Sequence, residues 1–388
     1  MIYLDNAATT PIAPEPAAAL QKVLLGGGYG NAGGLYKSGR RSAALITESR
    51  RKCAALVGGK PDGILFTSGG SEGNSLVFAG IAEHLKKQGK THIVTSLIEH
   101  ASVIHAATYL QHQGFTVDYV RPNSDGIIQA ERVKNALKPN TGLVSIMYVN
   151  NELGTVQPIS EIGEICHKAG VLFHSDCVQA AGYDYINAEE FYLDFLTVSG
   201  HKIHAPMGTG FLYAKDKYLL QPIIFGGQQE FGLRGGTENV AGIAALGEAC
   251  AASLRKMMTV RTHIFSLNTT LLSALKRENG LASIIHINCP GKGSEQNNRK
   301  IVSLQIDGVD ADSLILMLDT KQVCVAAGSA CSSRGKTANR VLRAAGLSSA
   351  KARETIRVSF SQYTTREDIQ KFVSALGECV RILLQWGK

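Results

Sequence analysis

The stretch Phe195-Leu196-Thr197-Val198-Ser199-Gly200-His201-Lys202 decides the fold of this 388-residue chain. Phe195 to Val198 are apolar or β-branched over the length of a strand, and the run ends on small and polar residues. The same pattern recurs upstream. Gly63 to Thr67, Ile93 to Leu97, Phe115 to Val120, Leu143 to Val149 and Val171 to Ser175 read as strands. Helices are expected between them over Asn74 to Gln88, Ser102 to Gln111 and Ile159 to Lys168. Alternating strands and helices predict an α/β fold, with a largely parallel sheet covered on both faces. Ligands of such sheets collect at the carboxyl ends of the strands.

Downstream, the pattern turns long and helical over residues 236–277. Ile284 to Asn288, Ile301 to Ile306, Val323 to Ala326 and Thr355 to Phe360 then read as strands, and Ala311 to Leu318 as a helix. Arg366 to Leu384 is an amphipathic helix that Thr365 would cap. These elements predict a smaller α+β domain over 261–388 beside a large domain over 1–260. Roughly the first fifteen residues are expected to pack on the small domain. Asn288 to Arg299, rich in Gly, Asn and Lys, is expected as a surface loop.

Hydrophobic residues make up 44% of the chain and charged residues 19%, which excludes a disordered or collagen-like polypeptide. No apolar run approaches a membrane span, and Met1-Ile2-Tyr3-Leu4-Asp5-Asn6 lacks the basic start of a signal peptide. A soluble cytoplasmic protein is expected, with no membrane partner. The net charge of +8 is scattered without a long run, so direct nucleic-acid binding is not expected. The eight cysteines include no C-x-x-C pair, so neither a metal site nor a disulfide framework is indicated.

Three strand ends carry the chemistry. Thr67-Ser68-Gly69-Gly70-Ser71-Glu72-Gly73-Asn74 is a Gly/Ser turn into a helix, where bare backbone N–H groups suit an anion. Val171 to Ser175 runs into Asp176, and the opening stretch runs into Lys202. Each has a plainer reading alone: a steric turn, a helix cap, a solvated lysine. Together they match what pyridoxal 5'-phosphate requires, namely a phosphate cradle, a partner for the pyridinium nitrogen and a Schiff-base amine. His100 ends another strand and could stack on the ring and move protons. Asn151 follows a further strand, where an amide could reach ring or substrate oxygens. Cys331, in Gly328-Ser329-Ala330-Cys331-Ser332-Ser333-Arg334, has the small neighbours and nearby cation of a reactive thiol. Arg357, inside the strand Thr355 to Phe360, calls for a carboxylate, either intramolecular or that of an amino-acid substrate.

With those residues in view, the chain resembles the cysteine desulfurases of the class V aminotransferase group, within the fold-type I pyridoxal-phosphate enzymes. The likeness runs from Tyr3-Leu4-Asp5-Asn6-Ala7-Ala8-Thr9-Thr10 through Glu99-His100, Asn150-Asn151-Glu152, His174-Ser175-Asp176 and Ser199-Gly200-His201-Lys202. It continues through Gly232-Leu233-Arg234-Gly235-Gly236-Thr237 and Gly328-Ser329-Ala330-Cys331 to Ile356-Arg357-Val358-Ser359. The Cys331 loop is similar to that of the nitrogen-fixation and iron–sulfur-assembly branch.

That resemblance implies a seven-stranded, mainly parallel sheet and a homodimer. Lys202 would carry the cofactor covalently, Asp176 would pair with its ring nitrogen, and Gln179 and Asn151 would hold the ring-oxygen side. His100 would stack as acid/base. Gly70, Ser71, Ser199, Gly200 and His201 would bind the phosphate, and Thr237 would reach the phosphate of the other subunit. Arg357 and Asn151 would hold the carboxylate of L-cysteine. Cys331 would take the sulfur as a persulfide, leaving L-alanine, and pass it to an acceptor protein; transient iron–sulfur ligation by Cys331 stays open. The acceptor would serve iron–sulfur assembly, or a specialised supply such as DNA phosphorothioation or tRNA thiolation. Two departures stand out. Asn31-Ala32-Gly33-Gly34-Leu35-Tyr36-Lys37-Ser38-Gly39 replaces the usual Asn-Pro-Ser-Ser-x-His-x-x-Gly, and Ala205-Pro206-Met207-Gly208 replaces Gly-Pro-Lys-Gly. The alternatives are a selenocysteine or carbon–sulfur lyase without the persulfide relay, and a catalytically silent sulfur-trafficking adaptor.

Overall fold

The computed structural model describes residues 1–26, 30–278, 281–289, 296–327 and 339–386. Its main sheet has seven strands in the spatial order Ile64–Thr67, Gly210–Ala214, Phe195–Ser199, Leu172–Asp176, Thr141–Ser145, His92–Ser96 and Thr116–Val120. The α/β class with a mainly parallel sheet is as expected. Every pairing is parallel except the two made by Gly210–Ala214. The central strands Phe195–Ser199 and Thr141–Ser145 are buried along their whole length, as strands covered on both faces must be. The edge strand Thr116–Val120 is partly exposed.

The sequence reading passed over Gly210–Ala214. The connection from Ser199 to Gly210 is shorter than the dozen or so residues of a parallel crossover. The strand accordingly returns antiparallel beside Phe195–Ser199, with Ser199 opposite Gly210. The strand expected to run to Val149 ends at Ser145, because the N–H of Met147 turns to the carboxyl of Glu99 instead of a neighbouring strand.

A second, three-stranded antiparallel sheet places Ile301–Ile306 between Thr355–Ser359 and Ile285–Asn288. The helices Ala311–Thr320 and Arg366–Trp386 cover it. Thr365 caps the latter helix reciprocally, its N–H donating to Asp368 at 2.8 Å and its hydroxyl accepting from the Asp368 N–H at 3.1 Å. The 38-residue helix Val240–Arg277 joins the two cores. Ile243, Leu246 and Met257 pack with the main sheet, and Ile264, Leu267 and Leu271 with the small one. The N-terminus belongs to the second body by contact: Ile2–Tyr3 pairs parallel with Val323–Cys324, and Leu4 sits in the small-sheet core.

The expected surface loop Asn288 to Arg299 needs correction in its described part. Asn297 and Asn298 are buried. Asn297 donates to the carbonyls of Leu153 and Cys289, both at 3.1 Å, and Asn298 N donates to the Gly154 carbonyl at 3.0 Å. These asparagines satisfy a backbone turn of the large body, so their polarity marks a seam between the two bodies and not solvent. Among the described residues no helix is long and apolar enough to cross a membrane, and no cluster of metal-ligating side chains occurs.

Candidate active site

The carboxyl ends of the main-sheet strands meet the N-terminal segment and the small sheet around an open pocket of about 860 Å³. Its walls hold Gly70, Ser71, His100, Asn151, Asp176, Gln179, Ser199, His201, Lys202 and Arg357. Ten residues singled out in the sequence are thus brought to one place. Gly200 stands behind the wall, where a Cβ would come within 2.5 Å of Thr209 Oγ1. Thr237 does not line this pocket. Cys331 lies outside the described residues.

Asp176 ends its strand 4% exposed. Its Oδ1 accepts from the Val178 N–H at 3.0 Å and its Oδ2 from Asn74 Nδ2 at 2.8 Å. Asn74 also donates to Ser102 Oγ at 2.9 Å, and that hydroxyl bonds His100 Nδ1 at 2.8 Å. The Ser102 N–H donates to the same Nδ1 at 3.2 Å, so the neutral ring keeps its proton on Nε2. Burial pushes His100 down, against the opposing pull of Asp176. Asp176 and His100 are therefore oriented by one chain of hydrogen bonds.

The phosphate cradle is a matter of backbone. Gly69 has φ +152°, a region L side chains rarely adopt, and it turns the strand Ile64–Thr67 into the helix Gly70–Lys87. A Cβ on Gly70 would stand 2.9 Å from Val178 Cγ2. The helix start thus faces the pocket with a bare backbone, at the positive end of the helix dipole.

Lys202 donates to the carbonyls of Ala7 and Ala8, the latter at 2.5 Å. Burial pushes its ammonium down to about 7, and Arg357 and then Lys300 add to the shift. His201 is held at about 4, by burial and then by Lys202. Gln179 donates to the Ala7 carbonyl at 2.8 Å and leaves a buried Oε1 with no hydrogen-bond partner. Arg357 donates to Asp5 Oδ1 and to the Asn151 carbonyl, both at 2.8 Å, with Nε unpartnered. In this structure the intramolecular carboxylate is the partner that Arg357 has found.

Sequence reasoning missed four wall residues, Ala7, Ala8, Met147 and Val178, and the supporting Asn74 and Glu99. Ala7 and Ala8 arrive from the far end of the chain, stitched in by Asn6 Nδ2 to the Ser359 carbonyl at 2.9 Å. Asn74 offered a signal in the sequence, a polar amide closing the Gly/Ser turn just ahead of the apolar Leu76 and Val77, and in the structure it is fully buried. Glu99, buried, accepts from Ser96 Oγ at 2.6 Å and from Met147 N at 3.0 Å, and burial pushes it up to about 8.

The described residues on either side of Cys331 are tied to this pocket. Ala326 and Arg357 exchange backbone hydrogen bonds of 3.2 and 2.6 Å. Beyond the gap, Asn339 donates to the Glu152 carboxylate, and Arg340 to the carbonyls of Leu97 and Glu99. The residue set fits pyridoxal 5'-phosphate: a bare helix start for the phosphate, a buried carboxylate for the ring nitrogen, an orphaned amide oxygen and an amine of lowered basicity.

Residues 2–372 match the family model described as aminotransferase class-V. A relative from Dictyoglomus turgidum described as cysteine desulfurase IscS is 35% identical over 98% of this chain and 95% of its own length. A solved NifS-like protein superposes with a TM-score of 0.89 at 30% identity, over 98% of this chain and 99% of its own. The structure described as SspA in complex with cysteine gives a TM-score of 0.79 at 31% identity, over 94% and 100%.

Proposed function

The chain belongs to the class-V aminotransferase family and is a cysteine desulfurase, and we propose that it relays the sulfur of L-cysteine through Cys331, using pyridoxal 5'-phosphate on Lys202. One observation carries the reading: Asp176 and Lys202, at the ends of two neighbouring strands, and Arg357, from the far end of the chain, line one pocket.

When bound, the cofactor would act as the electron sink for the substrate's Cα. Asp176, held by Asn74 and Val178, would keep the ring nitrogen protonated, and the Gly70 and Ser71 amides with Ser199 and His201 would hold the phosphate. Arg357 would exchange Asp5 for the substrate carboxylate, gaining a bidentate partner. Lys202, free of its proton for about half the time near pH 7, is suited to take the Cα proton. The thiolate of Cys331 would then attack the substrate sulfur. The S–S bond forms as the Cβ–S bond breaks, and the carbon keeps the electron pair and is protonated to alanine.

The described thiols support Cys331 as the carrier. Cys166, Cys177, Cys250 and Cys289 are buried, and burial pushes each above its ordinary range. Cys53 is fully buried, and Cys324 and Cys379 are also pushed up. None has the exposed, cation-flanked setting that makes a thiolate. A homodimer is supported by large exposed apolar side chains, Leu35 at 90% and Phe225 at 83%, and by Thr237 standing outside its own pocket. The acceptor would be a protein thiol in iron–sulfur assembly or nucleic-acid thiolation. The seven described cysteines are free, which fits the reducing cytoplasm.

The test is alanine formation from L-cysteine after reconstitution with pyridoxal 5'-phosphate, with borohydride reduction to mark the modified lysine. Modification at Lys202, and loss of both signals in Lys202→Ala, are expected. Alanine formed at the wild-type rate by Lys202→Ala would sink the reading.

A further inference from the structure

A second, small cavity that opens to solvent lies on the other side of Lys202. Tyr183, His204, Lys256, Lys300 and Ser361 are among its lining residues, and Lys202 is the one residue that lines both this cavity and the first. Lys300 enters it from the residue before the strand Ile301–Ile306, and is only 6% exposed. No described carboxylate lies within 4.0 Å of its ammonium. A lysine buried without an ion pair is costly and uncommon, and nothing in the cofactor pocket uses it.

We infer that Lys300 is a positioning residue for the desulfurase reaction, a buried cation behind Lys202 that disfavours a proton on the reactive amine across the second cavity. The inference rests on the reading of Lys202 as the covalent lysine. Charged and titratable groups face Lys202 from every side. Arg357 on the small sheet and Lys300 at its edge oppose a proton on Lys202, while Asp5 of the N-terminal segment and Asp176 at the strand end favour one. His201 and His100 are both driven toward the neutral form by burial. Around Lys300 stand Asp184, which is buried with Oδ2 unpartnered, and His204, which is neutral near pH 7. Glu15 pairs with Lys256 at 2.6 Å and so is not free to neutralise Lys300. Asp184 is itself pushed up to about 6 by burial. Burial also pushes Lys300 down to about 8, against the opposing pull of Asp184, so Lys300 is still mostly a cation at pH 7.

The consequence is large for an amine that must act as a nucleophile and a base. An ordinary lysine offers about 0.1% free amine at pH 7.5, and one titrating near 7 about three-quarters. Burial accounts for the largest part of that change, and Arg357 and then Lys300 add to it, a nearby cation being one of the recognised ways to lower a lysine.

The test is the pH dependence of reductive methylation of Lys202 in the full-length, cofactor-free chain, read by peptide mass. Lys300→Met and Lys300→Gln remove the charge, and Lys300→Arg keeps it. The expected result is a midpoint raised by a few tenths of a pH unit or more, roughly a twofold loss of free amine near neutral pH, in both neutral variants and close to wild type in Lys300→Arg. Having two neutral variants of different polarity guards against one failing to fold. An unchanged midpoint in the neutral variants overturns the inference, as does an equal shift in Lys300→Arg. Borohydride marking of Lys202 in the loaded enzyme tests the underlying reading separately, so the two failures are distinguishable.

Discussion

On the sheet-edge wall of the pocket, Asp176 has both oxygens engaged, and its support runs through Asn74 and Ser102 to His100. Across the pocket, the small-sheet wall presents Arg357 bound to an acid that is 19% exposed in its side chain, with its own Nε unpartnered. The first wall is satisfied before anything binds, and so it suits a group that stays in place. The second is held together by an exchangeable ion pair and suits a carboxylate that comes and goes. Preorganised polar networks hold geometry at little cost during turnover, whereas an ion pair with an accessible partner can be displaced.

The strongest way to break this contrast is at Asp176. Asp176→Asn should lower kcat about 10²–10⁴-fold, with KM for cysteine changing far less; a variant with near-normal kcat would mean that the sheet-edge wall is not the catalytic one. Asn74→Ala removes one charge-assisted hydrogen bond from the same carboxylate, worth about 1.5–3 kcal/mol. It should cost about tenfold or more in cofactor affinity, measured by fluorescence titration, and a wild-type affinity would detach Asn74 from the site. On the other wall, Asp5→Asn should lower KM for cysteine several-fold by removing the competitor for Arg357. A raised KM would show that Asp5 positions the guanidinium for substrate instead.

A separate effect, on stability and not on turnover, concerns Glu99 beneath the pocket. Its folded-state value is raised to about 8, so the folded chain holds this proton more tightly than the unfolded one. The stability gained is complete below the unfolded carboxyl range and is lost as pH rises toward about 8, by at most about 1.4 kcal/mol per pH unit. Urea melts at pH 5, 6.5 and 8 should show the wild type losing stability relative to Glu99→Gln. Parallel pH profiles would mean that Glu99 is ionised throughout.

The two walls also differ in how well the sequence discloses them. Lys202, Asp176, His100 and the Gly70 turn each follow an apolar run, and the rule that ligands gather at strand carboxyl ends brings them together without any coordinates. The second wall depends on contacts between residues hundreds of positions apart. Arg357 meets Asp5, and Ala7 and Ala8 meet Lys202, through pairings that periodicity does not encode. Asn297 and Asn298 read as loop because asparagine favours turns, while their burial follows from a seam formed only when the two bodies close. The direction of Gly210–Ala214 was available from connection length alone, since too few residues separate it from Ser199 for a parallel crossover.

Single-turnover alanine formation, with and without a thiol reductant, in wild type and Cys331→Ser tests the relay most directly. The account predicts one equivalent of alanine per subunit without reductant, many with it, and none from Cys331→Ser in either case. Alanine released by Cys331→Ser at the wild-type rate would contradict it, and would leave the pocket as that of a lyase with no sulfur carrier.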